Sequence, residues 1–378
     1  MKKAFNIKLL LKSTLICLII IFPMIAQSST FHDGGAEFCA GCHTKSNLND
    51  IPEPNSSRVP LYGPELLGSD PSSTCLRCHA KQNKLTNIFS MDGSSFTPGG
   101  DFYWMQKSFS WSSYGEQVTS GSDSHGHNIV AADYGLTEDS FFSTAPGGNY
   151  PSSAMGCTSC HDPHARTGST NDQSSNFRLL GGIGYSVGNL AAGLTFVNPA
   201  PIAAGSDVEW EETDINHTAY GSGMSKWCAN CHGSYSSGHT THPTGSQAKI
   251  SPEQTDNYNT YRKTGDKTGD RFTSYLALVP FETGEINKDY LDPHSTSGPG
   301  LNGQSNVMCL TCHRSHASAF SSAGRWDFNT TFMADSHPQA GDSGLRGNES
   351  LNSYYGRDII TTFGKYQRQL CNKCHALD

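Results

Sequence analysis

Six copies of the pattern Cys-x-x-Cys-His recur along the chain and are numbered here as motifs 1 to 6. Chance would give roughly 0.02 such matches in a chain of this composition, so six copies indicate one repeated chemistry. Two thiols three residues apart lie on one face of a helical turn and can form thioethers to one porphyrin, while the His ligates its iron. The cysteine pairs are Cys39 and Cys42, Cys75 and Cys78, Cys157 and Cys160, Cys228 and Cys231, Cys309 and Cys312, and Cys371 and Cys374. The iron ligands that follow them are His43, His79, His161, His232, His313 and His375.

Paired cysteines could instead form zinc sites or disulfides. Zinc sites use such pairs two at a time and require no His at the fifth position. The chain has 13 cysteines, and without Cys17 the other 12 make up the six pairs, so none remains for a disulfide. The motifs therefore predict six covalently bound c-type haems (haem c).

The N-terminus has the pattern of a secretory signal peptide. A basic segment precedes an apolar run over residues 15–22, which is too short to span a membrane as a retained anchor, the alternative interpretation. Small residues follow, and cleavage is expected after Ser28 or Thr30. We therefore expect residues 1–30 to be removed and residues 31–378 to form one hexahaem cytochrome domain. Export suits haem attachment, which takes place outside the cytoplasm.

The charge balance bears on the partners. Four of the 26 basic residues and none of the 34 acidic ones lie in residues 1–30, which leaves 22 against 34 and a net charge of −12. A nucleic-acid partner is disfavoured because no basic face is available to neutralise phosphates. A cationic redox partner or a mineral surface is compatible with this charge.

Composition predicts an unusual interior. The chain has 39 glycines and only 16% charged residues, so side chains alone are poorly suited to building a core. Six large apolar porphyrins would replace that core, and the chain without haem is not expected to fold. Motif spacings of 36, 82, 71, 81 and 62 residues exclude a simple repeat array.

Two stretches suggest local structure between the motifs. The aromatic segments 102–104 and 109–111 predict a short hairpin. Residues 261–281 are expected to hold one helix and a short strand.

The ligand at the sixth coordination position of each haem iron determines what that haem can do. A second His gives a low-spin electron carrier, Met does the same at higher potential, and an empty position gives a catalyst or gas binder. His164 and His316 lie three residues after a motif His, so each faces away from its own iron and could reach a neighbouring one; hydrogen bonding to a propionate is the alternative. The ten histidines outside the motifs are His32, His125, His127, His164, His217, His239, His242, His294, His316 and His337.

The chain resembles the hexahaem outer-surface c-type cytochromes that form extracellular cytochrome nanowires. The matching segments are 31–35, 126–131, 145–151, 223–232, 314–318 and 366–376. The resemblance implies a multihaem cytochrome c fold, mostly loops with few short helices and minor strands, wrapped around a stacked chain of six bis-histidine haems. It implies distal ligands where that family also has His, namely His32, His127, His164, His242, His294 and His316.

The resemblance also implies a function and a location. It predicts an exported, extracellular or outer-membrane-surface electron conduit that polymerises head-to-tail, and exchanges electrons with other outer-surface or periplasmic cytochromes and with acceptors such as metal oxides. Ser46 departs from the family, which has there a His that ligates a haem of the neighbouring subunit. Another imidazole (His32, His217 or His337) could replace it, the contact could form without cross-ligation, or one haem could stay unfilled. The alternatives are a nitrite-type multihaem reductase with one five-coordinate haem and a periplasmic shuttle that never polymerises.

Overall fold

The computed structural model describes His32 and residues 36–45, 62–80, 86–164, 176–186, 193–206, 211–236 and 242–376. The expected signal peptide, Ser46 and His239 lie outside these residues. Within the described part of the chain, no helix has the length and apolar character needed to cross a membrane.

Regular structure is short throughout the described residues. The described residues contain six α-helices, of which the longest have nine residues. They are α1 (Pro71–His79), α2 (Met224–Cys228), α3 (Pro252–Thr260), α4 (Cys309–Cys312), α5 (Glu349–Ser353) and α6 (Ile359–Phe363). The 3₁₀ turns are Ala36–Gly41, Phe102–Gln106, Ser122–Ser124, Ala132–Tyr134, Ser152–Ala154, Cys157–Ser159, Phe177–Leu179, Gly233–Ser236, Gly245–Gln247, Lys288–Tyr290, Ser321–Ala323, Met333–Asp335 and Leu370–Lys373.

The strands form three separate two-stranded antiparallel sheets in the described residues. These pair β1 (His43–Lys45) with β2 (Tyr62–Leu66), β3 (Phe109–Ser113) with β4 (Glu116–Ser120), and β5 (Ile202–Ala204) with β6 (Ala219–Ser222). A two-stranded ribbon is marginally stable alone, so none of these sheets can organise the fold by itself.

Only the second of the two aromatic segments expected to form a hairpin is a strand of one. The second aromatic segment lies in β3, which turns into β4 through Tyr114 and Gly115, both with positive φ (50° and 86°), as a tight hairpin turn requires. The first segment is instead a 3₁₀ turn, Phe102–Gln106, because the carboxylate of Asp101 caps it by accepting a hydrogen bond from the Tyr103 N–H.

The expected helix within residues 261–281 is wrong. The helix of this region is α3, which ends at Thr260 before that segment begins. Ser251 and Gln254 cap its start reciprocally, and Pro252 occupies its first turn, which favours initiation there. The residues that follow form turns, including Gly265 at φ 76°.

Buried apolar side chains form four clusters among the described residues rather than one central core. The two largest gather around Trp326 and Trp104, and both tryptophans are 1% exposed. Motif cysteines pack against the edges of all four clusters, for example Cys312 and Cys374 against the first. The apolar side chains therefore flank the motifs, as expected if porphyrins complete the interior.

A buried carboxyl group gives the fold a specific pH dependence. Glu282 is 1% exposed, accepts a hydrogen bond from the Met224 N–H at 2.6 Å, and burial raises its pKa to about 7. The folded chain thus holds this proton more tightly than the unfolded chain, so the stabilisation is full below about pH 4.5 and is lost as pH rises to about 7. Relative to Glu282→Gln, the native protein should lose about 3 kcal/mol of unfolding free energy over this interval. Guanidinium unfolding of both proteins measures the difference, and parallel pH profiles would contradict the assignment.

Candidate haem-binding sites

Each motif lies in or next to a short helical turn, and α1 shows how the chain positions one. Asp70 caps α1, and its carboxylate accepts a hydrogen bond from the Ser73 N–H at 2.7 Å. The helix ends at His79, so Cys75 and Cys78 project from its last turns together with that imidazole. The local fold thus presents both thiols and the ligand within one short element.

Motifs 2 and 3, and likewise motifs 4 and 5, are joined by an equivalent serine–cysteine hydrogen bond. The Ser72 hydroxyl accepts from the N–H of Cys157 at 3.1 Å, and the Ser225 hydroxyl accepts from the N–H of Cys309 at 3.0 Å. Both serines lie three residues before the first Cys of their own motif. Motifs 2 and 3 therefore dock as motifs 4 and 5 do. Sequence reasoning missed these serines, although their shared spacing could have revealed them.

The motifs follow one another in space in the order in which they occur in the chain. The thiols of each motif lie close enough to those of the next motif for the charge on one to affect the pKa of the other. The neighbours are Cys42 with Cys75 and Cys78, Cys75 with Cys157, Cys160 with Cys231, Cys228 with Cys309, and Cys312 with Cys371 and Cys374. The six motifs thus form an unbroken series.

Five motif imidazoles each face a second imidazole at a distance suited to a metal between them. Two imidazoles on opposite sides of one metal have ring centres roughly 6.3 Å apart, since each metal–nitrogen bond is about 2.0–2.1 Å long. The observed pairs are His43 with His164 (6.1 Å), His79 with His32 (6.4 Å), His161 with His316 (6.3 Å), His232 with His127 (5.9 Å) and His375 with His242 (6.1 Å). The residues present therefore fit haems held by two histidines.

Four motif imidazoles are oriented by main-chain carbonyls. A carbonyl oxygen can only accept, so Nδ1 carries the proton and Nε2 keeps the lone pair that a metal needs. The bonds run from Nδ1 of His79 to Thr86 O (3.2 Å), of His161 to Arg178 O (2.8 Å), of His232 to Pro146 O (2.8 Å) and of His313 to Ser322 O (2.7 Å). The facing His127 and His242 donate in the same way to Ser315 O and Pro243 O, each at 2.8 Å.

Three of these carbonyls belong to residues in an uncommon backbone conformation. Thr86, Arg178 and Ser322 have φ values of 45°, 49° and 60°. This left-handed region costs a non-glycine residue free energy and often marks a functional constraint. In each case the strained conformation orients the carbonyl oxygen so that it accepts a hydrogen bond from a motif imidazole. No sequence signal could have identified these residues, because a main-chain acceptor does not depend on residue type.

Comparison with known proteins agrees with this geometry. No model of a known protein family matches the chain. The C-type cytochrome OmcS of Geobacter sulfurreducens is 38% identical over 409 aligned positions, which cover 92% of this chain and 94% of that protein. The chain belongs to the OmcS family of c-type cytochromes. It is therefore an electron carrier with covalently bound haem c, as the motifs predicted.

Solved structures of OmcS confirm the multihaem cytochrome fold. The outer membrane cytochrome S filament from Geobacter sulfurreducens matches with a TM-score of 0.75, and the OmcS nanowires studied by cryo-EM match with 0.74. Each is 35% identical, and each alignment covers 90% of this chain and 98% of the other. The predicted resemblance to this family is thus confirmed.

Motif 5 differs from the other OmcS-type motifs of this chain. Its His313 contacts the ring of Phe328 edge-on at 5.7 Å, and no imidazole among the described residues faces it. His294, which the resemblance implied as a distal ligand, is not brought to a motif imidazole. It is exposed, and its Nδ1 lies 3.1 Å from Ile215 O. Five of the six implied distal histidines thus meet motif imidazoles, and the sixth does not.

The remaining described histidines have structural partners. His125 is fully buried, with Nδ1 on Trp104 O and Nε2 on the Ser120 hydroxyl. His217 also engages both ring nitrogens, with main-chain oxygens at 3.1 and 2.9 Å. His337 pairs with Asp342 at 2.7 Å and stacks on a tryptophan. Of the replacements weighed for Ser46, His32 already faces His79, and neither His217 nor His337 faces a motif imidazole.

Proposed function

We propose that this chain is an exported hexahaem cytochrome that conducts electrons in extracellular electron transfer. The observation that carries the proposal is the unbroken series of six attachment sites in chain order. Electron transfer between haems requires closely spaced cofactors, and a series of neighbouring motifs supplies that spacing. The six motif cysteine pairs would hold the haems, and the six motif histidines would ligate the irons.

The protein's own contribution is position and environment. When bound, each haem supplies one-electron chemistry at its iron. His32, His127, His164, His242 and His316 would close the second axial position of five haems, which leaves those irons no site for a substrate. The carbonyl-anchored imidazoles hold the required tautomer, and the flanking apolar clusters exclude water and lower the local dielectric. Such an arrangement carries electrons without binding a reactant.

Export and self-assembly complete the proposal. Residues 1–30 would direct the chain out of the cytoplasm, and it would act outside the cell or at the outer-membrane surface. The structures of the relative are filaments and nanowires, which supports head-to-tail polymerisation of this chain. A heterologous contact of this type makes an open filament when its rotation does not close. Its other partners would be neighbouring cytochromes and extracellular acceptors such as metal oxides.

The secreted holoprotein tests this function directly. Mass spectrometry should find six haems per chain, and electron microscopy of concentrated protein should show filaments. Fewer haems would contradict the hexahaem series. Discrete particles at all concentrations would contradict polymerisation and leave a shuttle.

A further inference from the structure

A buried cluster of charges lies beside motif 5. Glu212 accepts from Arg314 Nη1 at 2.6 Å and from Arg325 Nη1 at 3.0 Å, and all three side chains are at most 2% exposed. Burial alone would raise the pKa of Glu212, but the two guanidinium groups lower it overall, so the carboxylate is charged. The cluster therefore combines two buried cations with one buried anion.

Arg325 is tied to the main chain of the motif itself. Its Nε donates to Leu310 O at 2.6 Å and approaches His313 O at 3.3 Å, and its main-chain N–H donates to Cys312 O at 2.8 Å. Leu310 lies between the two cysteines of motif 5. The guanidinium group is thereby fixed against the segment that would carry the fifth haem.

One donor of this guanidinium group has no partner among the described residues. Nη1 of Arg325 donates to Glu212 and to Ala277 O, each at 3.0 Å, whereas Nη2 is buried and makes no hydrogen bond. An unpaired buried donor on a charged group costs several kcal/mol, so such groups normally have a partner. This atom thus indicates a missing acceptor.

The surrounding charges indicate that the acceptor is an anion. Asp214 and Arg357 form a neighbouring balanced pair at 3.2 Å, so they add no net charge. The phenols of Tyr220, Tyr275 and Tyr355 also face the arginines and are neutral at pH 7. The buried Asp101 carboxyl acts on Tyr355, but its oxygens accept hydrogen bonds from Ser90, Ser95 and Tyr103. Among the described residues, Glu212 is thus the one carboxylate paired with the two arginines, and buried charges are normally paired one to one. Carboxylates of haem propionates are the anions that this protein would itself bring to motif 5.

We propose that Nη2 of Arg325 binds a propionate carboxylate of the haem at motif 5, and that the cluster raises the reduction potential of this haem. A cation near a haem favours the reduced iron, since reduction adds a negative charge. Arg325 is thus a positioning and tuning residue, held by Glu212. The inference rests on the proposed hexahaem function and adds that one haem of the series differs from its neighbours in potential.

Two substitutions with opposite effects on charge test the tuning. In a spectroelectrochemical titration of the holoprotein, Arg325→Gln should lower the reduced-to-oxidised ratio of one haem at fixed potential about tenfold, equivalent to 59 mV for one electron. Glu212→Gln should raise that ratio, because it removes the negative charge and leaves both arginines. A merely structural role would shift the two variants in the same direction or not at all, and either result would overturn the proposal.

Two further variants separate charge from fold. Arg325→Lys keeps the charge and should retain most of the native titration curve. Lys107→Gln removes a different buried cation, paired with Glu349 at 2.8 Å, and should leave the curve unchanged. Haem content is measured for every variant. Six haems with no opposite shifts would reject the tuning role alone, whereas fewer than six in the native protein would reject the hexahaem function.

Discussion

Carbon monoxide should bind to one haem in six when the subunits are kept apart. Among the described residues, His313 of motif 5 is the one motif imidazole that no other imidazole faces, so the described part of the chain supplies no second ligand to its haem. Carbon monoxide needs an open sixth position and does not displace a second His readily. The bound fraction of total haem, read from the Soret band of the reduced protein, should therefore be one-sixth.

Matched variants make this result specific. His316→Ala removes the imidazole that faces His161 at 6.3 Å, and the bound fraction should double to two-sixths. His337→Ala should leave it at one-sixth, because that ring stacks on Trp111 and pairs with Asp342. If isolated native subunits bound no carbon monoxide, a second ligand would have to fill the sixth position at motif 5, contrary to the prediction.

Without haem, the chain should show no cooperative unfolding transition at all. In the described part of the chain, the longest helices have nine residues, below the roughly 12–15 at which isolated helices become stable, and the sheets have two strands each. Protein made without haem attachment should give a disordered far-ultraviolet circular dichroism spectrum and a flat denaturation curve.

A terminal motif provides the matched control for this experiment. Cys371→Ala with Cys374→Ala removes the attachment pair at the end of the series and should cost one haem while the other five remain. Their cooperative unfolding should persist with lower stability. A folded, cooperative chain lacking all six haems would refute the view that porphyrins form the interior.

The chemistry of the sites was readable from the sequence because it is local. Each attachment site needs five consecutive residues, and its spacing leaves little choice of cofactor. The strand Phe109–Ser113 was likewise indicated by its aromatic residues, whereas its partner Glu116–Ser120 contains none and was not predicted. The helix expected after Tyr261 failed because the capping residues Ser251 and Gln254 precede it.

The partners of the motif imidazoles could not be read in the same way. His164 faces His43, and His316 faces His161, each across a long stretch of intervening chain. Spacing alone indicated that these two could reach a neighbouring iron, but not which one. The burial of Arg325 was also hidden, since an arginine in a loop is ordinarily exposed.

The carbonyl anchors of the motif imidazoles bear on how this protein can evolve. Thr86, Arg178 and Ser322 act through main-chain oxygen atoms, so selection at these positions favours a backbone shape more than a side chain. Asparagine or glycine could replace them and even relieve conformational cost. Homologues can therefore diverge widely around the haems while the electronic tuning of the imidazoles is inherited unchanged.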